Sequence, residues 1–227
     1  MTEDQLLGPH GREREDESVD TRFYQEPRLV AHLDDAAIAT VTALYRPLLA
    51  PLAGQGRVLD LMSSRYAHLP DDVPRGAVVG LGMNRAELDA NPQLTERVVH
   101  DLNTDPHLPF ADASFDVALN TVSVQYLSHP LAVFREVARV LRPGGAYAVV
   151  FSNRMFPTKA IRAWRERDDA GHIALVRAYF ALAGGFAAPE VTSRPGTPGF
   201  WFTPGGDPVY AVVARRAPVC GRPIAPR

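Results

Sequence analysis

Residues Ser114–Asn153 read SFDVALNTVSVQYLSHPLAVFREVARVLRPGGAYAVVFSN, and the apolar period in this stretch changes twice. SFDVALNTV has the pattern of a strand. From His129 onward, Leu131, Phe134, Val137, Ala138 and Leu141 fall on one face of a helix. Pro143 and Gly144 stop that helix. GAYAVVFSN then returns to strand character. A strand, a crossover helix and a second strand form the unit from which parallel α/β sheets are built.

The same alternation extends in both directions. Toward the N-terminus, Asp34 or Asp35 can cap a helix in DDAAIATVTALYRPLLAPL, with Leu33, Ala37, Val41 and Leu44 on one face and Pro47 and Pro51 breaking it. GRVLDLM and GAVVGLGM are continuously apolar, as in a sheet covered on both faces. The connection between them, SSRYAHLPDDVPR, has room for a short helix only. Asn84 opens the next helix, with Glu87 spaced for a capping box, and RVVHDL is a third strand. Toward the C-terminus, a helical region over 157–183 ends at Gly184-Gly185. A weak strand at 189–193 and a last one in DPVYAVVARR follow. Such a sheet binds ligands at the carboxyl ends of its strands.

Composition narrows the function. The 227 residues suit one domain, and 46% hydrophobic with 22% charged residues is ordinary for a globular chain. A net charge of −2 carries no general signal for nucleic acid. No apolar run approaches the ~20 residues of a membrane span, and MTEDQLLGPHGREREDESVD lacks the apolar centre of a signal peptide. The lone Cys220 forms neither an internal disulfide nor a thiolate metal site, which points to a reducing cytoplasm. Residues 1–20 mix charges without periodicity and read as a disordered tail. Residues 21–214 read as the domain, and 215–227 as a Pro/Arg-rich tail unsuited to strand pairing.

The segment from Asp101 to Gly145 resembles class I S-adenosylmethionine-dependent methyltransferases, in particular their small-molecule "type 11" group. Asp101, Pro109-Phe110, Ser114-Phe115-Asp116 and Arg139-Val140-Leu141-Arg142-Pro143-Gly144-Gly145 carry the likeness. The resemblance implies a Rossmann-like α/β fold: a seven-stranded, mostly parallel sheet with helices on both faces and the last strand antiparallel. It further implies an N-terminal lid over 21–50, a core over 55–152 and an acceptor-pocket insertion over 153–186. S-adenosyl-L-methionine is the implied cofactor, S-adenosyl-L-homocysteine its product, and a small molecule the acceptor. No metal is implied. The first half departs from the family pattern: Met62-Ser63-Ser64-Arg65 stands in place of a glycine-rich turn, and Gly82 falls where an acid for the ribose hydroxyls is usual. Ser-Ser after the first strand and Gly-x-Asn after the second resemble a less common subfamily, as do FYQEPR, HLDD and FSNR.

Under that resemblance the cofactor contacts fall on Asp60, Leu61, Met62, Ser63 and Ser64, then Gly80, Gly82, Met83 and Asn84, then Asp101, Leu102 and Asn103, and on Asn120 and Arg28. Asp60 suits the cofactor ammonium. The Ser63 and Ser64 hydroxyls can donate and accept. The Asn84 amide can replace the missing acid, and Gly80 and Gly82 allow close backbone approach. Arg28 can clamp a carboxylate of cofactor or acceptor. Asp101-Leu102-Asn103 is the expected adenine turn. Methyl transfer requires alignment above all, and a hydroxyl acceptor adds the need for a base. His32, His129 and His172 are the candidates, with His129 reading as a surface cap; Tyr126 is placed beside the reacting group. Tyr24, Ser123, Asn153, Arg154 and Tyr179 are assigned to the acceptor, while Trp164, Phe180 and Phe186 wall a pocket or the core. The rival reading is a non-catalytic Rossmann-like protein that binds a nucleoside or a partner chain.

Overall fold

The strand patterns assemble into one seven-stranded sheet. Its members are β1 (Arg57–Leu61), β2 (Ala77–Gly82), β3 (Glu96–Val99), β4 (Phe115–Thr121), β5 (Leu141–Phe151), β6 (Glu190–Arg194) and β7 (Val209–Arg215), in the order β3-β2-β1-β4-β5-β7-β6. The first five are parallel, and β7 runs antiparallel to both β5 and β6. The structure is a computed structural model that describes residues 1–197 and 205–218; Cys220 and the end of the Pro/Arg-rich tail lie outside the described residues. No helix among them is long and apolar enough to cross a membrane.

The helices are α1 (Glu3–Leu7), α2 (Asp20–Phe23), α3 (Asp35–Leu49), α4 (Arg85–Asp89), α5 (Pro130–Val140), α6 (Arg162–Arg165) and α7 (Asp169–Ala183). On one face of the sheet, Leu131, Phe134 and Val137 of α5 and Val176 and Phe180 of α7 pack over Leu59 and Tyr147. On the other, Ala37, Val41, Tyr45 and Leu49 of α3 pack over Val58, Val78 and Val117. Adjacent residues of β1 thus enter opposite cores, which is why the strand reads as continuously apolar. Each such side chain contributes about 1.5–3 kcal/mol by leaving water.

The family-like motif holds itself together. Arg139 of α5 donates to Phe110 O (2.8 Å) and Leu108 O (2.9 Å) and pairs with Asp112 and Glu136 at 2.7 Å. Asp116 accepts the Arg57 amide at 2.8 Å, tying β4 to the start of β1.

Several local expectations change. Pro47 lies inside α3. The proline faces solvent while Tyr45 and Leu49 beside it are buried, so core packing carries the helix past its missing hydrogen bond. The crossover 62–76 contains no helix. Pro70 and Pro74 favour extended backbone before them, and Ala67, Leu69 and Val73 plug the α3 core directly. The helical region 157–183 is two helices, and Asp168 caps the second.

Residues 1–20 are not a free tail. Leu7 joins the core between α5 and α7, and Arg162 and Ala163 donate their amides to Glu13 O (2.7 Å) and Gly11 O (2.8 Å). Lys159, fully buried, donates to Ser18 O at 2.6 Å and pairs with Asp20 at 3.1 Å. Arg14 pairs with Asp20 as well, at 2.7 Å. The charges that suggested a solvated segment are instead its fastenings. At the other end, pairing continues beyond residue 215: the Arg216 amide donates to Gly145 O (2.7 Å) and the Ala217 amide to Gly185 O (2.9 Å). Lys159→Met should therefore destabilise the protein by about 3 kcal/mol in urea unfolding, the range for stripping one partner from a buried ion pair. Deleting residues 1–18 should lower the melting temperature rather than leave it unchanged.

Candidate cofactor and acceptor site

The chain leaves β1 for β2 on one side and resumes at β4 on the other, so the loops part above β1 and β4. A cavity of about 290 Å³ opens there, over the carboxyl ends of β1 to β5.

Its floor is the turn that lacks glycine. Met62 stands at φ 54°, a left-handed conformation that normally favours glycine. The Ser63 amide donates to Leu81 O at 2.8 Å, which presses the turn onto β2. A Cβ on Gly82 would lie 2.1 Å from Ser63 O, so the position expected to carry an acid has no room for any side chain. Gly80 does not line the cavity; its Cβ would meet Leu94 at 2.4 Å. Its glycine serves packing rather than ligand approach.

Both serine hydroxyls are committed to acids. Ser63 donates to Asp60 Oδ2 at 2.5 Å, and Asp60 is only 2% exposed. Burial pushes the Asp60 carboxyl up to about 7, against the pull of the Ser63 hydroxyl. Ser64 donates to Glu87 Oε2 at 2.5 Å, while Glu87 Oε1 accepts the Arg28 amide at 2.7 Å. Glu87 is buried and faces the cavity. Asn84 does not present a free amide: its Oδ1 accepts the Glu87 amide (3.1 Å) and its Nδ2 donates to Tyr24 O (2.9 Å) and Gln25 O (3.0 Å). The expected capping box is therefore half formed, because the Glu87 carboxylate turns to the cavity.

At the end of β3, Asp101 Oδ1 accepts the Asn103 amide at 2.9 Å. The Asn103 side chain donates to Asp20 (2.8 Å) and to Tyr126 O (2.9 Å) and is thereby occupied. Burial would raise the Asp20 carboxyl, but hydrogen bonds from Asn103 and Arg14 hold it below its ordinary value. The roof comes from the N-terminal segment as Tyr24, Arg28, Val30 and His32. His32 meets the Phe156 ring edge-on at 5.7 Å. Burial lowers its pKa, with Glu87 opposing. His68 is lowered further, to about 4, by burial and then by His32. Both imidazoles are free of charge near neutral pH. Tyr126 accepts the Phe156 amide at 2.7 Å and lines the wall with Ser123.

Asp60, Leu61, Met62, Ser63, Ser64, Gly82, Met83, Asn84, Asp101, Leu102 and Asn103 do line this cavity, as do Arg28, His32, Tyr24, Ser123, Tyr126 and Arg154. Others do not. His172 is stacked on Trp164 at 4.1 Å with Nε2 2.9 Å from Trp164 O, on the buried face of α7. Tyr179 lies on that same face, edge-on to Phe134 at 5.4 Å. Asn153 is exposed, and Asn120 is buried beneath Ser123, whose hydroxyl it accepts at 3.1 Å. His129 is exposed at the start of α5. Phe186 packs against the core with Phe180. Sequence reasoning missed Glu87, His68, Asp20, Thr121 and Phe156 as cavity residues. Glu87 had a signal, an acid one helical turn from Asn84, but the capping pattern absorbed it.

Residues 53–149 match the family described as Methyltransferase domain. The biotin biosynthesis bifunctional protein BioHC of Teredinibacter turnerae is 26% identical over 165 residues, 69% of this chain and 28% of that protein. The chain thus spans well under half the length of that relative. Among solved structures, geranyl diphosphate C-methyltransferase from Streptomyces coelicolor A3(2), crystallised with S-adenosyl-L-homocysteine, superposes with a TM-score of 0.55 at 13% identity, covering 87% of this chain and 97% of that one. The [4+2]-cyclase SpnF superposes at 0.54 with 15% identity, over 78% and 80% of the two chains. At such identities these two establish a shared fold. Residues 53–149 of this chain thus resemble a methyltransferase domain, set within a sheet of the same fold as these structures.

Two outcomes follow from the floor. The Asp60 carboxyl has a folded pKa near 7 against about 4 when unfolded, so the folded state keeps a proton that the unfolded chain has lost between these values. Stability therefore falls as pH rises from about 4 to 7, and the whole penalty is present above 7. Asp60→Asn should raise the melting temperature of the ligand-free protein at pH 8, with the advantage fading toward pH 4. Gly82→Asp, which restores the usual family acid, should destabilise by about 1–3 kcal/mol or more, because the Ser63 carbonyl occupies its place; chemical denaturation would measure it.

Proposed function

We propose that the cavity binds S-adenosylmethionine and that the chain transfers its methyl group to a small-molecule acceptor. The observation that carries this reading is the pair of buried acids, Asp60 and Glu87, brought to one cavity by consecutive serines of one turn. When bound, the cofactor supplies a methyl group on a sulfonium. Asp60 would take its ammonium, a cation that suits a buried carboxyl otherwise driven toward its neutral form. Glu87 would accept the ribose hydroxyls in place of the acid that Gly82 excludes. The Asp101-Leu102-Asn103 turn would border adenine through its backbone, since the Asn103 side chain is engaged elsewhere.

On this reading Ser63 and Ser64 are positioning residues. Each fixes an acid that touches the cofactor, and this replaces the direct contacts expected of their hydroxyls. Acceptor residues would come from the roof and from the β4 and β5 ends: Tyr24, Ser123, Tyr126 and Arg154. His32, uncharged near neutral pH and in the cavity, is the base available to an acceptor that must lose a proton. His172 has no such access.

Calorimetry with S-adenosylhomocysteine should detect binding by the full chain. Asp60→Asn and Glu87→Gln should each weaken it about tenfold or more, the loss for a hydrogen bond to a charged group. Ser64→Ala should produce a smaller loss in the same direction. Wild-type affinity should rise with pH through about 7 as Asp60 ionises, and the Asn variant should lose that slope. Absence of binding, or undiminished binding by both acid variants, would overturn the assignment.

A further inference from the structure

Arg28 is the most unusual charge in the cavity. Its backbone amide is held by Glu87 beside the β2 end (2.7 Å), yet its guanidinium lies 5.0 Å from the ring of Phe156, which follows β5. The side chain therefore runs across the cavity roof from the cofactor half toward the strands on the far side of β1. The Phe23 ring lies 4.5 Å and the Tyr24 ring 5.4 Å from the same carbon. These rings fix the plane of the guanidinium and strip water from it. Nη2 donates to Phe23 O at 3.0 Å. Nη1 is buried and has no hydrogen-bond partner.

A buried guanidinium edge without an acceptor is costly. Among the described residues, no carboxylate forms an ion pair with it. Glu87, the acid that holds the Arg28 amide, spends Oε1 on that amide and Oε2 on Ser64. Arg154, the other arginine lining the cavity, differs: it is 61% exposed and paired with Asp207 at 3.1 Å. Arg28 thus has the geometry of a recognition group rather than a stabilising one, since a planar fork held by aromatic faces selects a carboxylate.

We propose that Arg28 is the acceptor anchor, and that the acceptor is a carboxylate-bearing small molecule seated with its acid on Nη1 and its body among Phe23, Tyr24 and Phe156. This rests on the reading that the β1 and β2 ends hold the cofactor, and it moves Arg28 from the cofactor set to the acceptor set. His32, edge-on to Phe156 at 5.7 Å, then stands beside the acceptor. The cofactor's own carboxylate is the other source of the same chemistry.

Benzoate, benzamide, S-adenosylhomocysteine and methylthioadenosine, which lacks the amino-acid end, separate these cases on the full chain. Benzoate should bind wild type, with and without S-adenosylhomocysteine, about tenfold or more tighter than benzamide. Arg28→Gln should erase that preference, and Arg28→Lys should restore part of it. Neither variant should change the affinity ratio of S-adenosylhomocysteine to methylthioadenosine. A fall in that ratio in Arg28→Gln would place the cofactor carboxylate on Arg28 and overturn the proposal. So would wild type that does not prefer benzoate, or a preference that survives in Arg28→Gln. If wild type binds benzoate selectively but no S-adenosylhomocysteine, the cofactor reading fails and the anion site stands.

Discussion

The seating of the Met62–Ser64 turn on β2 governs the rest of the site. One backbone hydrogen bond, from the Ser63 amide to Leu81 O, brings the turn so close that position 82 accepts only glycine. From there each consequence is steric or electrostatic. Met62 takes a left-handed backbone, at a cost of the order of 1 kcal/mol for a residue with a side chain. The usual acid at the β2 end is excluded, and a carboxylate reaches the cavity from α4 instead. The two serines aim one hydroxyl each at Asp60 and Glu87. The turn without glycine thus places two acids at the mouth of the cavity by way of its serines.

The roof depends on this floor. Glu87 holds the Arg28 amide and Asn84 holds the carbonyls of Tyr24 and Gln25, so the segment crossing the cavity is fastened to the start of α4. Its other end is anchored by Asp20, shared among Arg14, Lys159 and Asn103. Asn103 belongs to the turn after β3 and also reaches Tyr126 after β4. Cavity-lining loops from different strands are thus coupled through the N-terminal segment. A buried ion pair adds little net stability over an apolar substitute, but these partners tie the segment over the cavity to α4, to the turn after β3 and to Lys159.

The site was legible where its chemistry is local. Asp60 at the end of an apolar run, Asp101 after β3 and Tyr126 after β4 all line the cavity, since each follows directly from ending a parallel strand. His172 and Tyr179 were placed wrongly because a helix face carrying a histidine and a tyrosine reads the same whether that face meets a cavity or a core. Glu87 was hidden by a capping pattern that it half satisfies. Residues 1–20 were misread because charge alternation signals solvation only when the partners are absent from the rest of the chain, and Lys159 lies far along it.

What the sequence determined by itself was the sheet and its class. The period of apolar residues distinguishes doubly buried strands from helices without knowledge of neighbours. The Arg139 motif closes on residues within the same strand-loop-helix unit. Only the tertiary structure decided which polar groups face the cavity and which are consumed. Asn84, Ser63, Ser64 and Asn103 all carry suitable donors and acceptors, yet each is engaged by a partner from another part of the fold or from its own turn. Arg28 is left with an open edge because three aromatic rings surround it and Glu87, which holds its amide, is already engaged by Ser64. Hydrogen-bonding capacity belongs to the residue type, but its availability depends on which groups the folded chain brings within about 3 Å.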